Sequence, residues 1–334
     1  MGKSSKPVFE IIQREGTEML TKVSLICTVR NEEKTIKILM DSIIKQTRLP
    51  NEIIIVDGGS SDNTVEAIRS YTDKLPNLIL IVSPGANRAR GRNIAIKNAT
   101  YGVILSCDSG CKLHPRWLEN IVKPLDETTE IDVVSGVYLP WYETEFEEIA
   151  SYLIFPNIEK LNPDKFLPSS RSIAFRKRAW ENVGGYPEWL DTAEDTLFDL
   201  KLKKAGMRFF LAKNAIVYWK VRENAKKIFK QFYNYAKGDG IAFLFPQRYL
   251  PRYAIAALTL ILAATLWNNI FFWILATLAF PFGFYIKHLR KVRKPSIKRL
   301  FIATMIALAI ETGIFIGYLK GISKRIKIFP LNHN

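Results

Sequence analysis

Ile53-Ile54-Ile55-Val56-Asp57-Gly58-Gly59-Ser60-Ser61-Asp62-Asn63 is the stretch that decides the fold. Four consecutive β-branched apolar residues are stopped abruptly by acids, glycines and hydroxyls. A strand that is apolar at every position, not every second one, is buried on both faces, as in a parallel sheet covered by helices. Upstream, Val23-Ser24-Leu25-Ile26-Cys27-Thr28-Val29 is a second β-rich run. After it come Asn31-Glu32-Glu33 and then Ile36, Leu39, Met40, Ile43 and Ile44 at helical spacing. Downstream the alternation continues: helix 64–71, strand 78–82, helix 89–98, strand 103–107. Strands and helices in this order predict an α/β fold with a largely parallel sheet. Ligands of such sheets bind beyond the carboxyl ends of the strands. The polar clusters at 28–32, 57–62 and 108–110 all fall at those ends.

Each cluster has a chemistry. Asp57, just past a buried strand, suits hydrogen bonding to a base or ribose; Gly58-Gly59 permits close backbone approach. Helix capping accounts for Ser60, Ser61 or Asp62 and leaves Asp57 over. Asp108-Ser109-Gly110 ends the fourth strand, where a carboxylate either shapes a turn or holds a divalent cation, Mg²⁺ or Mn²⁺, against a diphosphate. Arg88, Arg90 and Arg92 open a helix behind Gly85, an arrangement suited to neutralising a diphosphate or to a solvated basic face. Glu194-Asp195 precedes a helix predicted over 196–204. Acids there either cap the helix or include a general base for an acceptor hydroxyl, and spacing does not choose between the two. Residues 168–171, including Arg171, precede a strand and are candidates for the acceptor side. In the middle of the chain, short strands are expected at 133–138, 172–176, 208–211 and 216–219.

Composition sorts the function classes. The 334 residues carry 48 Lys and Arg against 32 Asp and Glu, a net charge of +16. From Leu250 onward there are 12 basic residues and one acid, Glu311, a local charge of +11; the first 249 residues hold only +5. The excess sits among the most apolar segments, which argues for charge flanking a membrane and against a nucleic-acid groove. Cys27, Cys107 and Cys111 form no zinc pattern and are expected to be buried, reduced thiols. The first 20 residues have no apolar core of a secretory signal. Residues 225–237 interleave lysines with Ile228, Phe229, Phe232, Tyr233 and Tyr235, predicting an interfacial amphipathic helix. Apolar segments follow at 253–267, 270–286 and 300–319, where roughly 20 residues are needed to span. Residues 287–299 carry seven Lys or Arg, marking that loop as cytosolic, with the Trp267-Asn268-Asn269 turn outside. A third crossing would put Lys320, Lys324, Arg325 and Lys327 outside; the segment either crosses against that charge or is re-entrant. Glu311 within it should face protein or be neutral.

Assembled in order, Thr28-Val29-Arg30-Asn31-Glu32, Val56-Asp57-Gly58-Gly59-Ser60-Ser61-Asp62, Arg90-Gly91-Arg92-Asn93, Asp108-Ser109-Gly110 and Glu194-Asp195 resemble the inverting family 2 glycosyltransferases of the GT-A fold, over about 23–219. The resemblance implies a cytosolic GT-A catalytic domain (1–224), an interfacial segment (225–249) and two to three transmembrane helices with a basic tail (250–334). It implies that Thr28, Arg30, Asn31, Glu32 and Asp57 hold the nucleotide of an activated sugar, with Arg88, Arg92 and Ser109 beside it. Asp108 would correspond to the first acid of the metal-binding D-x-D motif, and Asp195, next to Glu194, to the catalytic base. Three departures stand out. Arg30 replaces the tyrosine of the usual Pro-x-Tyr-Asn-Glu, Gly110 replaces the second acid of D-x-D, and Gln231 is followed by no Arg-Trp pair, which argues against polymerisation.

These features predict a multi-pass cell-membrane enzyme, catalytic domain cytosolic, that moves one sugar from a nucleotide diphosphate sugar to a lipid-linked or glycan hydroxyl. A polyprenyl-phosphate sugar synthase is the nearest rival. A membrane-anchored nucleotide-sugar-binding protein with a degenerate site is the non-enzymatic one, and nucleic acid is not expected as a partner.

Overall fold

The computed structural model describes residues 20–265 and 286–328. The leader, the Trp267-Asn268-Asn269 turn and the apolar segment at 270–286, save its last residue, lie outside the described residues.

Strand β1 (Val23–Val29) is followed by helix α1 (Ile36–Ile44), and β2 (Glu52–Asp57) by α2 (Thr64–Arg69). Next come β3 (Leu78–Val82), α3 (Arg88–Asn98), β4 (Val103–Asp108), β5 (Cys111–Leu113) and α4 (Trp117–Glu127). The second half adds β6 (Val133–Trp141), α5 (Glu145–Ile154), β7 (Ile173–Arg176), α6 (Lys177–Asn182), α7 (Glu194–Lys204) and β8 (Phe209–Lys220). The eight strands of the described residues form one sheet in the order β3-β2-β1-β4-β7-β6-β8-β5. β3, β2, β1 and β4 are parallel, whereas β7 runs antiparallel to both β4 and β6. The sheet is therefore mixed.

Register explains why the polar clusters meet. Thr28 lies between Val56 on β2 and Asp108 on β4, and Val29 lies opposite Asp57. Side chains alternate across β1: Leu25, Cys27 and Val29 enter a core with α1 and α4, while Ile26 enters one with α3 and α7. Every residue of β2 is buried, as its continuous apolar run requires. The three cysteines are free and buried.

Two expectations are corrected here. The strands anticipated at 208–211 and 216–219 are one strand, β8, in which the polar Lys213-Asn214 break is a bulge. Ser135 of β6 pairs with Leu211 and Val137 with Ile216, so the extra residues loop out opposite Gly136. Helix α7 begins at Glu194 and not at Thr196, which places both acids in its first turn.

Beyond the sheet, α8 (Ala225–Ala242), α9 (Pro246–Thr265) and α10 (Ile297–Ile328) follow. Among the described residues α10 is the one helix long and apolar enough to cross a membrane. Helix α8 continues past the expected end at 237, and Ile228, Gln231, Ala236, Gly238, Gly240 and Ile241 along it are buried. Glu311 on α10 faces protein as anticipated, 2.9 Å from Arg252 Nε on α9 and 3.0 Å from His288 Nε2.

Candidate functional site

At the carboxyl edge of the sheet, two loops lock together. Asn31 adopts φ 56°, its amide donates to Ser60 Oγ (2.8 Å) and its Oδ1 accepts from the Ser61 amide (2.9 Å). The Glu32 amide donates to Thr64 Oγ1 (2.8 Å), and the Glu32 carboxylate accepts from the Thr35 hydroxyl. Asp57 is fully buried, and its Oδ2 accepts from the Gly59 and Ser60 amides at 2.9 Å each. The Ser60 hydroxyl also donates to it. Asp57 is thus committed to the turn that follows it, a role the sequence reading had given to its neighbours. Gly58 closes this turn against Ala86, since a Cβ there would meet the Ala86 carbonyl at 2.5 Å. Thr28 is half-buried beside this edge, and Arg30 is exposed above it.

Helix α3 packs directly on β1 because Gly91 leaves room: a Cβ there would lie 2.7 Å from Thr28 Cγ2. Asn87 caps the helix, its Oδ1 accepting from the Arg90 amide at 2.9 Å. The three arginines then separate by face. Arg88 and Arg90 are exposed, whereas Arg92 is buried, its side chain 2% accessible. Arg92 Nη2 donates to Asp108 Oδ1 at 2.9 Å and Nη1 to Glu194 Oε1 at 2.7 Å. Its guanidinium lies over the Tyr186 ring, 5.4 Å from the centroid. This single side chain joins the end of β4 to the start of α7.

Asp108 faces a second cation. Arg171 Nε sits 3.6 Å from Asp108 Oδ2, while its other nitrogens donate to Ser169 Oγ (2.7 Å) and Tyr235 Oη (2.9 Å). The Arg171 guanidinium stacks 4.0 Å from the Trp219 ring centroid. Burial alone would raise the Asp108 pKa; Arg92, Arg171 and Arg88 outweigh it and hold the carboxyl below its ordinary value. Ser109 is buried beside it, and a Cβ on Gly110 would meet nothing within 4 Å.

The expected cation at Asp108 can be tested on this donor set. Both Asp108 oxygens face guanidiniums, Gly110 supplies no second carboxylate, and the described residues contain no group of three or more His, Cys, Asp or Glu side chains suited to a metal. Mg²⁺ is usually held by one or two carboxylates plus substrate phosphate oxygens. The described residues therefore hold no preformed cation site: Asp108 is a single carboxylate, and the charge facing it comes from Arg92 and Arg171.

Glu194 and Asp195 divide their roles. Glu194 is buried against Arg92; burial first, and the neighbouring Asp195 second, raise its pKa. Asp195 stays half-exposed, its Oδ1 accepting from the Thr196 amide at 2.8 Å. Ala193 before them adopts φ 64°, a left-handed conformation costly for a residue with a Cβ. Two carboxyls near Asp195 escaped sequence reasoning. Asp199, one helical turn on, is buried, and its Oδ2 has no hydrogen-bond partner among the described residues. Burial, then the Asp195 charge, pushes its pKa well up. On α8, burial pushes Asp239 up to about 6. The i, i+4 spacing of Asp195 and Asp199 was the available signal.

Helix α8 forms a wall of the site. Thr192 Oγ1 donates to the Asn234 carbonyl at 2.7 Å, and Tyr235 holds Arg171. The structure therefore gathers Thr28, Asp108, Ser109, Arg88, Arg92, Glu194 and Asp195 at one edge. Asn31, Glu32 and Asp57 are tied into the adjoining turn.

Residues 24–183 match the family model for glycosyl transferase family 2. The glycosyltransferase AglE of Haloferax volcanii is 28% identical over 225 residues, 65% of this chain and 72% of that protein. The poly(ribitol-phosphate) beta-N-acetylglucosaminyltransferase TarS of Staphylococcus aureus is 26% identical over 218 residues, 62% of this chain; the chain spans only 37% of TarS. Among solved structures, the mannosyltransferase PcManGT of Pyrobaculum calidifontis, bound to GDP-Man and Mn²⁺, matches with a TM-score of 0.55 at 18% identity. The match covers 93% of this chain and 89% of that one, and it shows a shared GT-A-like fold.

Proposed function

We propose that this chain, a glycosyltransferase by its family 2 domain and its relatives, transfers one sugar from a nucleotide diphosphate sugar to a hydroxyl with inversion, using Asp195 as the base. The observation that carries this reading is the Arg92 bridge. It ties Asp108, at the strand edge where nucleotides bind in such sheets, to the acidic start of α7, which supports a reading in which donor and acceptor chemistry share one site.

The roles follow from accessibility. Glu194 is spent on Arg92, whereas Asp195 is half-exposed with an oxygen left for an incoming hydroxyl. Asp195 takes the hydroxyl proton as the acceptor oxygen bonds to the anomeric carbon. The bond from that carbon to the diphosphate breaks, and the nucleoside diphosphate leaves with the electron pair. Arg88, exposed at the start of α3, and Arg171, held by Trp219 and Tyr235, are placed to meet the developing negative charge. The exposed apolar surface of α9 and α10 supports a membrane-bound enzyme and a lipid-linked acceptor.

The test is the product. The full chain in detergent, given UDP-, GDP- and dTDP-sugars with a lipid extract, should release nucleoside diphosphate from one donor class. Its glycoside should carry the anomeric configuration opposite to the donor's. A retained anomer, or a glycosyl phosphate as the product, would overturn the hydroxyl-transfer reading.

A further inference from the structure

Helix α10 is fastened along its flank. At its start, Lys298 Nζ lies 2.7 Å from Glu145, and Arg299 Nη1 lies 3.3 Å from Glu145 and 3.1 Å from Glu148, all on α5. Ala303, Ile306, Ala307 and Ile310 then pack with Ile149, Ala150 and Leu153 of α5 and Ile228 of α8. Further on, Gly317 and Gly321 abut the backbone of α8: a Cβ at either would sit 2.3 Å from the carbonyl of Tyr233 or Lys237. Gly313 meets α8 one turn earlier, near Phe229, so the two helices run parallel. At the far end Arg325 Nη1 donates to the Ile241 carbonyl at 2.9 Å. From residue 298 to 325 that is about 40 Å of helix at 1.5 Å per residue. Its supports belong to the catalytic unit, since Lys220 of β8 pairs with Glu147 of α5 at 3.1 Å and Thr192 is bonded to α8.

Among the described residues nothing covers the apolar outer face of α10. Phe301, Met305, Leu308, Ile316 and Leu319 recur at helical spacing in one stripe, between 37% and 64% exposed. Lys298, Lys320, Lys324 and Lys327 flank it, all exposed. By length and composition alone α10 could cross a bilayer. Crossing would draw α5 and α8, with their ion pairs, into the hydrocarbon. It would also put the basic residues at 320–327 on the side opposite those at 287–299, against the usual bias.

Resting on the membrane-bound reading above, we propose that α10 lies in the plane of one leaflet on the catalytic side. The stripe from Phe301 to Leu319 enters the acyl boundary, and Lys320, Lys324 and Lys327 at its far end reach anionic headgroups. Both basic clusters then stay on the same side as the active site.

Sidedness and depth test this. The native cysteines are buried, so a membrane-impermeant maleimide meets little background. Full-length Lys298→Cys, Ser323→Cys and the catalytic-domain reference Lys165→Cys are reconstituted into sealed phosphatidylcholine/phosphatidylglycerol vesicles and labelled before and after detergent. The expected result is the same externally labelled fraction for all three; labelling of Ser323→Cys in the complementary fraction would overturn the proposal. A bimane at Phe301→Cys, Leu308→Cys and Ile316→Cys should be quenched equally by shallow brominated lipids. Quenching that deepens along the helix, or none because a second copy covers the face, would contradict it. Failure of the wild-type chain to float with the vesicles would instead remove the membrane-bound reading beneath it.

Discussion

Arg92 shows how a single side chain can hold two halves of a site. It is nearly inaccessible, bonded to Asp108 on one side and Glu194 on the other. Removing one partner of such a buried network leaves uncompensated charge, which costs about 3–5 kcal/mol. Arg92→Met should therefore lower the thermal midpoint of the detergent-solubilised chain strongly at neutral pH. The pH dependence has a definite sign. The Asp108 carboxyl is held below its ordinary value, so its contribution is present above about pH 4, the unfolded carboxylate range, and is lost as pH falls through the folded value. Glu194, already raised by burial, rises further without its cation, and its protonation then relieves part of the variant's penalty. The wild-type and Arg92→Met stability curves should converge on acidification through the carboxylate range, and curves that stay parallel from pH 7 down to about pH 3 would contradict this. The sequence pointed to three arginines without revealing which faced inward. On α3 the buried positions include Arg92 and Asn93, so the buried face carries polar residues that a hydrophobic pattern does not register.

Among the elements, α8 shapes the acidic edge through the segment that precedes α7. Gly238 lets the segment before α7 press on the helix: a Cβ there would lie 2.4 Å from the Thr192 carbonyl and 2.5 Å from its hydroxyl. The next residue is the left-handed Ala193, and Glu194-Asp195 follow it. Gly238→Ala should displace this segment and lower kcat by about 10–100-fold, as misplacement on the order of 1 Å can, with little change in donor KM. Gly102→Ala, where a Cβ meets nothing within 4 Å, is the matched control. Equal kinetics in the two variants would remove α8 from the site. The parallel strands β1 to β4 were legible because each is a short apolar run ending in a polar cluster. The role of α8 was not, because its lysine-aromatic alternation reads as an amphipathic surface. The glycines and small residues that dock it gain meaning only once their partners are placed.

At the scale of the whole molecule, the positive charge concentrated in the last 85 residues belongs to the flanks of apolar helices, and the arginines at the sheet edge are few and specifically engaged. The apolar content of 300–319 was plain from the sequence. Its attachment along α5 and α8 was not, since near-uniform hydrophobicity hides which side of a helix is covered. The central claim is that the edge of the parallel strands and the start of α7 form one catalytic centre with Asp195 as its base. It is tested most directly by the turnover of full-length Asp195→Asn at saturating donor and acceptor, with donor affinity measured alongside. The account predicts a fall in kcat of about 10²–10⁴-fold with donor binding retained. Turnover close to that of the wild type would contradict it.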